Sequence, residues 1–237
     1  MKRSNIILIV IGIAALGWMV VFQWMAARAV IDFSEGRLSR YGEFSAGSHY
    51  RPDIITQPLP AFSEIEIRGI GKVEVILERG TAFALRRDTL LSGRVKHLME
   101  NDRLVLELTG ISDEAASSYT ISAPLLNGIT LYHLENTLIK GFTMKSLTVK
   151  IQDVQPLLFT QCAFGSLFVE SSDKLQTQYL DIDNTNQIKQ LAITLYGKGT
   201  VRLGAAGTME NTIVIPDSMD IQASSNILKQ LKLTGLQ

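Results

Sequence analysis

In the second half of the chain a short motif returns four times, and it limits the folds open to this sequence more than any other feature. Gly128-Ile129-Thr130-Leu131, Ser146-Leu147-Thr148-Val149, Ser166-Leu167-Phe168-Val169 and Gln190-Leu191-Ala192-Ile193 share one form: a small or polar residue, an apolar one, any residue, an apolar one. Their leading apolar residues lie 18, 20 and 24 positions apart. Between them fall Leu138-Ile139, Leu157-Leu158-Phe159, Leu180-Asp181-Ile182 and Val201-Arg202-Leu203, and Met219-Asp220-Ile221 and Leu231-Lys232-Leu233 extend both series. Alternation sends successive side chains to opposite faces, as a half-buried strand requires. Two short strands in each unit of about 20 residues is how a β-solenoid reads, each unit burying its apolar pair on the next. A sandwich of evenly spaced strands is the alternative.

The same period of two begins near Ala61. Ile65-Glu66-Ile67 and Val73-Glu74-Val75-Ile76-Leu77 alternate apolar with charged residues, with Gly69 and Gly71 between them and Glu78-Arg79-Gly80 as a closing turn. Asn101-Asp102 forms another turn ahead of Leu104-Val105-Leu106-Glu107-Leu108. Tyr119-Thr120-Ile121 runs toward Pro124, which suits a strand end. Residues 90–99 are too short and irregular to support an amphipathic helix. The expectation is an all-β domain over residues 61–237.

Ahead of it, residues 6–27 read IILIVIGIAALGWMVVFQWMAA, with Gln23 the one strongly polar side chain. About 20 apolar residues span the roughly 30 Å hydrocarbon core of a bilayer. Trp18 and Trp24 suit the far interface, and Lys2 and Arg3 against the single following Arg28 place residues 1–5 in the cytoplasm. Ala27-Arg28-Ala29 also has the spacing of a signal-peptide cleavage site. The apolar run exceeds a usual signal core and Trp and Met crowd the site, so an uncleaved transmembrane helix is preferred. Either reading exports the domain. Residues 28–60, broken by Gly36, Gly42, Gly47, Pro52, Pro58 and Pro60, read as a tether.

Charge excludes one partner class. Lys and Arg number 23 and Asp and Glu 23, and beyond Lys2 and Arg3 the balance is 21 basic to 23 acidic. Such a mixed surface has no long-range field to gather nucleic acid.

The opening of the domain resembles a known family. Phe62-Ser63-Glu64-Ile65-Glu66-Ile67, Val73-Glu74-Val75-Ile76-Leu77-Glu78-Arg79-Gly80, Asn101-Asp102-Arg103-Leu104-Val105-Leu106 and 119–129 are similar to the autotransporter adhesin head GIN domain, over roughly residues 61–205. The resemblance implies a single-stranded right-handed β-helix in a bacterial cell envelope, and carries over no functional residues. The modest glycine content and the anchor in place of a plain signal peptide depart from that family's pattern.

Catalytic signals are sparse. Asp181-Ile182-Asp183 is the most suggestive pair, since residues two apart in a strand share a face and clustered carboxylates serve calcium binding or acid–base work in β-helix enzymes on polysaccharides. No third carboxylate or basic partner adjoins them, and a wet strand face shows the same pattern. His49, His97 and His133 share no metal-ligand spacing. Cys162, the single cysteine, sits between aromatics as a small buried hydrophobe would. Gly69-Ile70-Gly71 lacks a following helix and fails as a phosphate loop. Arg86-Arg87, with Arg94 and Lys96, could touch lipid headgroups or an acidic partner, but Asp88, Glu100 and Asp102 dilute the cluster and a solvated face is the preferred reading. No catalytic, cofactor-binding or metal-ligating residue is expected. The sequence reads as a non-enzymatic, single-pass inner-membrane protein with a periplasmic domain for adhesion, scaffolding or ligand binding, its partner an envelope protein or a glycan. A carbohydrate-active β-helix enzyme using Asp181 and Asp183 is the alternative.

Overall fold

The computed structural model describes residues 53–111, 116–171, 177–204, 210–216, 218–223, 227 and 231–235. The apolar run at 6–27, His49 and residues 28–52 of the expected tether lie outside the described residues. Among the described residues no helix is long and apolar enough to cross a membrane.

The chain begins with β1 (Ile54–Pro58), β2 (Glu64–Ile70), β3 (Val73–Arg79) and β4 (Ala84–Asp88). A single 3-10 turn, Thr89–Leu91, leads to β5 (Val95–Glu100), β6 (Arg103–Thr109) and β7 (Ser117–Ala123). The repeating half contains β8 (Gly128–Leu134), β9 (Asn136–Lys140), β10 (Thr143–Val154), β11 (Leu157–Thr160), β12 (Ala163–Ser171) and β13 (Thr177–Ile182). It continues through β14 (Gln187–Thr194), β15 (Lys198–Leu203), β16 (Glu210–Ile215), β17 (Met219–Ala223) and β18 (Leu231–Gly235).

These residues form strands because each buries one of two alternating sets. In β10, Leu147, Val149 and Ile151 are buried while Lys150 is exposed and Thr148 and Gln152 half-buried. From β8 on, successive strands alternate between two open sheets, the odd-numbered ones in sheet A and the even-numbered ones in sheet B. From β10 on, each pairs in parallel with the strand two before it. The register stacks Ile129, Val149, Val169, Ile193 and Ile213 in one column of sheet B. In sheet A, Ile139, Phe159, Ile182 and Leu203 form the matching column. Burying each such side chain contributes about 1.5–3 kcal/mol.

The register also corrects one interval. Ile129 pairs with Val149, not with Leu147, so the first repeat is 20 residues long and not 18. An offset of two residues leaves the same set of side chains facing inward, so alternation alone cannot choose between the two alignments.

The first half does not stack in chain order. β2 lies in sheet B between β6 and β8, and β3 lies in sheet A between β7 and β9, all in parallel. The β6–β7 pair therefore forms the outermost layer and β2–β3 the second. Beyond β7, sheet A ends in β4 and β1, and beyond β6, sheet B ends in β5, each joined antiparallel. Terminal strands of a different kind close an array whose inner layers would otherwise expose their edges. β1 falls within the stretch expected to be tether: Ile54 to Pro58 pair with Asp88 to Ala84, and Leu59 is buried. Pro58 is tolerated there because β1 is an edge strand. Every described core residue, from Leu59 to Ile227, belongs to this one cluster, so the segment from Asp53 onward carries its own hydrophobic core.

Candidate functional site

A parallel sheet is usually covered on both faces. Here sheet B presents its outer face to solvent, and neighbouring strands bring residues distant in sequence into rows. One row reads Val105, Glu66, Thr130, Lys150, Glu170 and Thr194. The next places Arg68 beside Tyr132 and Tyr132 beside Gln152. Strands in a sheet lie about 4.8 Å apart, so these groups are close neighbours. Thr130, Tyr132, Lys150, Ile151, Gln152 and Glu170 line a shallow depression of about 190 Å³. The Arg68 guanidinium lies 5.8 Å from the centre of the Tyr132 ring, within cation–π range. Phe168 stands on the same face, 43% exposed.

Beside the depression is a buried ionic group. Glu66 is 2% exposed although it points to the outer face. Arg68 covers it from its own strand, and Arg103 of β6 contacts its other oxygen at 2.6 Å. The hydrogen bond to Glu66 holds the Arg68 guanidinium even more firmly protonated than usual. The Glu66-Arg68 spacing was a visible same-face pair in the sequence; Arg103, from another layer, gave no sign.

The structure separates the two suspected carboxylates. Leu180 and Ile182 are buried as the alternation requires, and Asp181 lies on the outer face of sheet A, 3.6 Å from Arg202. Burial raises the pKa of Asp181, with Arg202 opposing the shift. Asp183 follows the end of β13 and folds back into a turn, accepting from the Thr185 N–H at 2.9 Å and from Asn186 Nδ2 at 2.8 Å. The two do not project together over one groove.

Asn186 was missed by sequence reasoning. It is fully buried at a corner where Phe142, Cys162 and Asn186 occupy equivalent positions in successive layers. Cys162 is a buried free thiol there, and burial pushes it up to about 11. An isolated Asn between Thr185 and Gln187 gives no signal of this, because the role depends on backbone groups of another layer.

His97 is exposed on the edge strand β5. His133 lies at the β8 corner with its Nδ1 2.9 Å from Asp153 of the next layer, both residues at positive φ. Gly71, Leu134, Glu135 and Gln155 join them around an open recess of about 280 Å³. Gly69 fits under this corner because it has no side chain: a Cβ would sit 2.2 Å from the His133 carbonyl oxygen. Among the described residues no three His, Cys, Asp or Glu side chains are grouped to hold a metal ion. The basic cluster spreads over the terminal strands: Arg86 pairs with Glu78, Arg87 donates to Gln57 at 2.7 Å, and Lys96 pairs with Glu107 at 2.7 Å.

No family model and no curated protein matches the chain. Among solved structures it is similar to a putative adhesin from Bacteroides fragilis, at 12% identity and a TM-score of 0.44 over 78% of this chain and 97% of that one. It is also similar to a putative adhesin from Parabacteroides distasonis, at 14% identity and a TM-score of 0.49 over 79% of this chain and 77% of that one. A third, from Parabacteroides merdae, has 10% identity and a TM-score of 0.37 over 79% of this chain and 93% of that one.

Proposed function

We propose that this chain is a membrane-anchored cell-envelope protein whose domain is a right-handed β-solenoid of the GIN-like kind and acts as a non-enzymatic binding module. Residues 6–27 hold it in the inner membrane with residues 1–5 in the cytoplasm, and the domain stands outside. The observation that carries the binding role is the depression on sheet B, where Tyr132, Lys150 and Glu170 come from three successive layers of that sheet. An aromatic ring flanked by charged and amide side chains on a rigid, open face suits an extended polar polymer such as a glycan, which binds across strands without needing an enclosed pocket. Asp183 is engaged in its own turn, so the acid–base pair required by a carbohydrate-active enzyme receives no support from the geometry.

Binding to a panel of bacterial and plant polysaccharides tests the reading. Retention without chain cleavage is expected, with loss of at least about tenfold in affinity for Tyr132→Ala, a ring of this size being a typical binding anchor. Cleavage of any polymer, or undiminished binding by the Tyr132 variant, overturns it. Topology is tested separately by a reporter active only outside the cytoplasm, fused after Tyr50. It should be active; a silent reporter on an expressed fusion refutes the orientation, and a mature chain starting near Val30 shows a cleaved signal instead.

A further inference from the structure

Phe168 lies within β12 (Ala163–Ser171) and is exposed on the outer face of sheet B, between the buried Leu167 and Val169. Its register neighbours, Thr148 of β10 and Ala192 of β14, are small, which leaves the ring open to solvent. A single exposed phenylalanine is ordinary. The alignment of this one with the depression is not. Tyr132 pairs with Gln152, and Lys150 precedes Gln152 by two residues. Lys150 pairs with Glu170, and Phe168 precedes Glu170 by two residues. Tyr132, Lys150 and Phe168 therefore fall on one diagonal of the outer face, each one strand further on and two residues back from the last. Residues two apart in a strand share a face, and strand spacing and rise put the two aromatic Cα atoms about 16 Å apart, with Lys150 midway. The lining of the depression holds one positive and one negative side chain, Lys150 and Glu170. Both are exposed, and neither forms an ion pair among the described residues.

We propose that this diagonal is the track of an uncharged linear glycan, with one sugar ring stacked on Tyr132, another on Phe168, and the hydroxyls between them held by Lys150 and Glu170. The inference rests on the glycan-binding reading above, and adds to it a second aromatic platform and the charge class of the polymer. A pyranose ring carries C–H groups on its faces and hydroxyls around its edge, so it suits a flat aromatic ring beneath it and polar groups beside it. Two platforms this far apart select a chain and not a monosaccharide. Sugar hydroxyls both donate and accept; the ammonium of Lys150 supplies donors and the carboxylate of Glu170 acceptors. A polyanion is repelled by Glu170 as it is drawn to Lys150, so the depression gives polymers of uronate or phosphate no net attraction. A flat apolar partner would strip water from both charges without pairing either. Both rings stand on strands paired on each side, so their spacing is set before the ligand arrives and binding has little ordering to offset.

Titration of the full-length chain, in a detergent without sugar headgroups, tests the proposal against neutral polymers (glucan, mannan, xylan and galactan) and acidic ones (polygalacturonate and alginate). A neutral polymer should bind at least about tenfold more tightly than either acidic one, and salt should leave its affinity unchanged. Phe168→Ala and Tyr132→Ala, each shown to be folded by circular dichroism, should each lose about tenfold. The two rings are too far apart to touch, so the double variant should lose about a hundredfold. Phe168→Tyr should bind as wild type does and Phe168→Leu should not, which separates ring stacking from apolar area alone. Wild-type binding by Phe168→Ala alongside a loss in Tyr132→Ala overturns this inference and leaves the glycan-binding reading standing. Tighter, salt-sensitive binding of an acidic polymer has the same consequence. Undiminished binding by Tyr132→Ala, or retention of no polymer, overturns both.

Discussion

Asn186 ties its layer to the one before it through the backbone of Cys162, whose N–H its amide oxygen accepts at 3.0 Å. The Asn186 Nδ2 donates in turn to the carbonyls of Phe159 at 2.8 Å and Asp183 at 3.0 Å. One amide thus pairs the Cys162 N–H and gives a second donor to two carbonyls that also accept the Asp183 and Asn186 backbone N–H groups. Asn186→Ala should cost about 1–3 kcal/mol, because it leaves the buried Cys162 N–H unpaired. Urea unfolding of the segment from Asp53 onward should show a lower midpoint with an unchanged slope. A midpoint equal to wild type would mean that water or a shifted backbone replaces the amide.

The two aspartates should respond differently. Burial raises the folded pKa of Asp181 above its ordinary value of 3.8, so ionisation opposes folding and that penalty grows as pH rises through the raised value. Asp181→Asn should therefore melt slightly higher than wild type at neutral pH, with the gain fading below about pH 4, where both side chains are neutral. Asp183→Ala should instead cost about 1–2 kcal/mol by removing the acceptor of the turn. A higher melting temperature for the Asp183 variant would contradict the turn geometry.

Cys162 should be unreactive in the folded protein. With the thiol pushed up to about 11, only about a thousandth is thiolate at pH 8, and burial blocks access as well. A disulfide-exchange reagent should label it only after unfolding. The raised folded value also means that whatever the neutral thiol contributes to stability is present below about pH 9 and lost between there and about 11. Rapid labelling of native protein at pH 8 would show that the corner opens.

The Glu66 cluster should show an asymmetry. Removing both Arg68 and Arg103 leaves an uncompensated carboxylate that is 2% exposed, and should cost about 3–5 kcal/mol. Glu66→Gln should cost much less, because the two guanidinium groups are 55% and 39% exposed and can turn to water. Thermal melts of the two variants compare them directly. Equal losses would mean that the carboxylate is better hydrated than its burial indicates.

Thr137 offers a stabilising change. Its hydroxyl oxygen is buried with no hydrogen-bond partner among the described residues, on a strand whose neighbours are Val75 and Leu157. Thr137→Val keeps the shape, removes the stranded polar group and should raise stability by about 1 kcal/mol. A lower melting temperature would reveal a partner for the hydroxyl.

Much of the inward-facing surface was legible in the sequence. Leu147, Leu167 and Leu191 are buried, as the motif requires, and Leu180 and Ile182 flank an outward Asp181 as their alternation implies. The antiparallel strands β1, β4 and β5 were not legible. Each is short, and β1 and β5 hold Pro58 and a run of polar residues that weaken the alternation. Their strand form comes from the open edges they cover, a property of the assembled layers and not of their own residues.

By itself the sequence determined which side chains face inward, because that depends on one strand's own period of two and on the solubility of each residue in water. Only the tertiary structure decided which strand lies beside which. β2 and β3 precede β6 and β7 in the chain yet stack inside them, between β6–β7 and β8–β9. Nothing in their alternation marks this, since any inward apolar column can pack on any other. The same holds for the site: Tyr132, Lys150 and Glu170 become neighbours through a 20-residue register that alternation leaves uncertain by two residues. Backbone pairing between distant segments, with β1, β4 and β5 covering one end of the two sheets, resolves that ambiguity once every layer is in place.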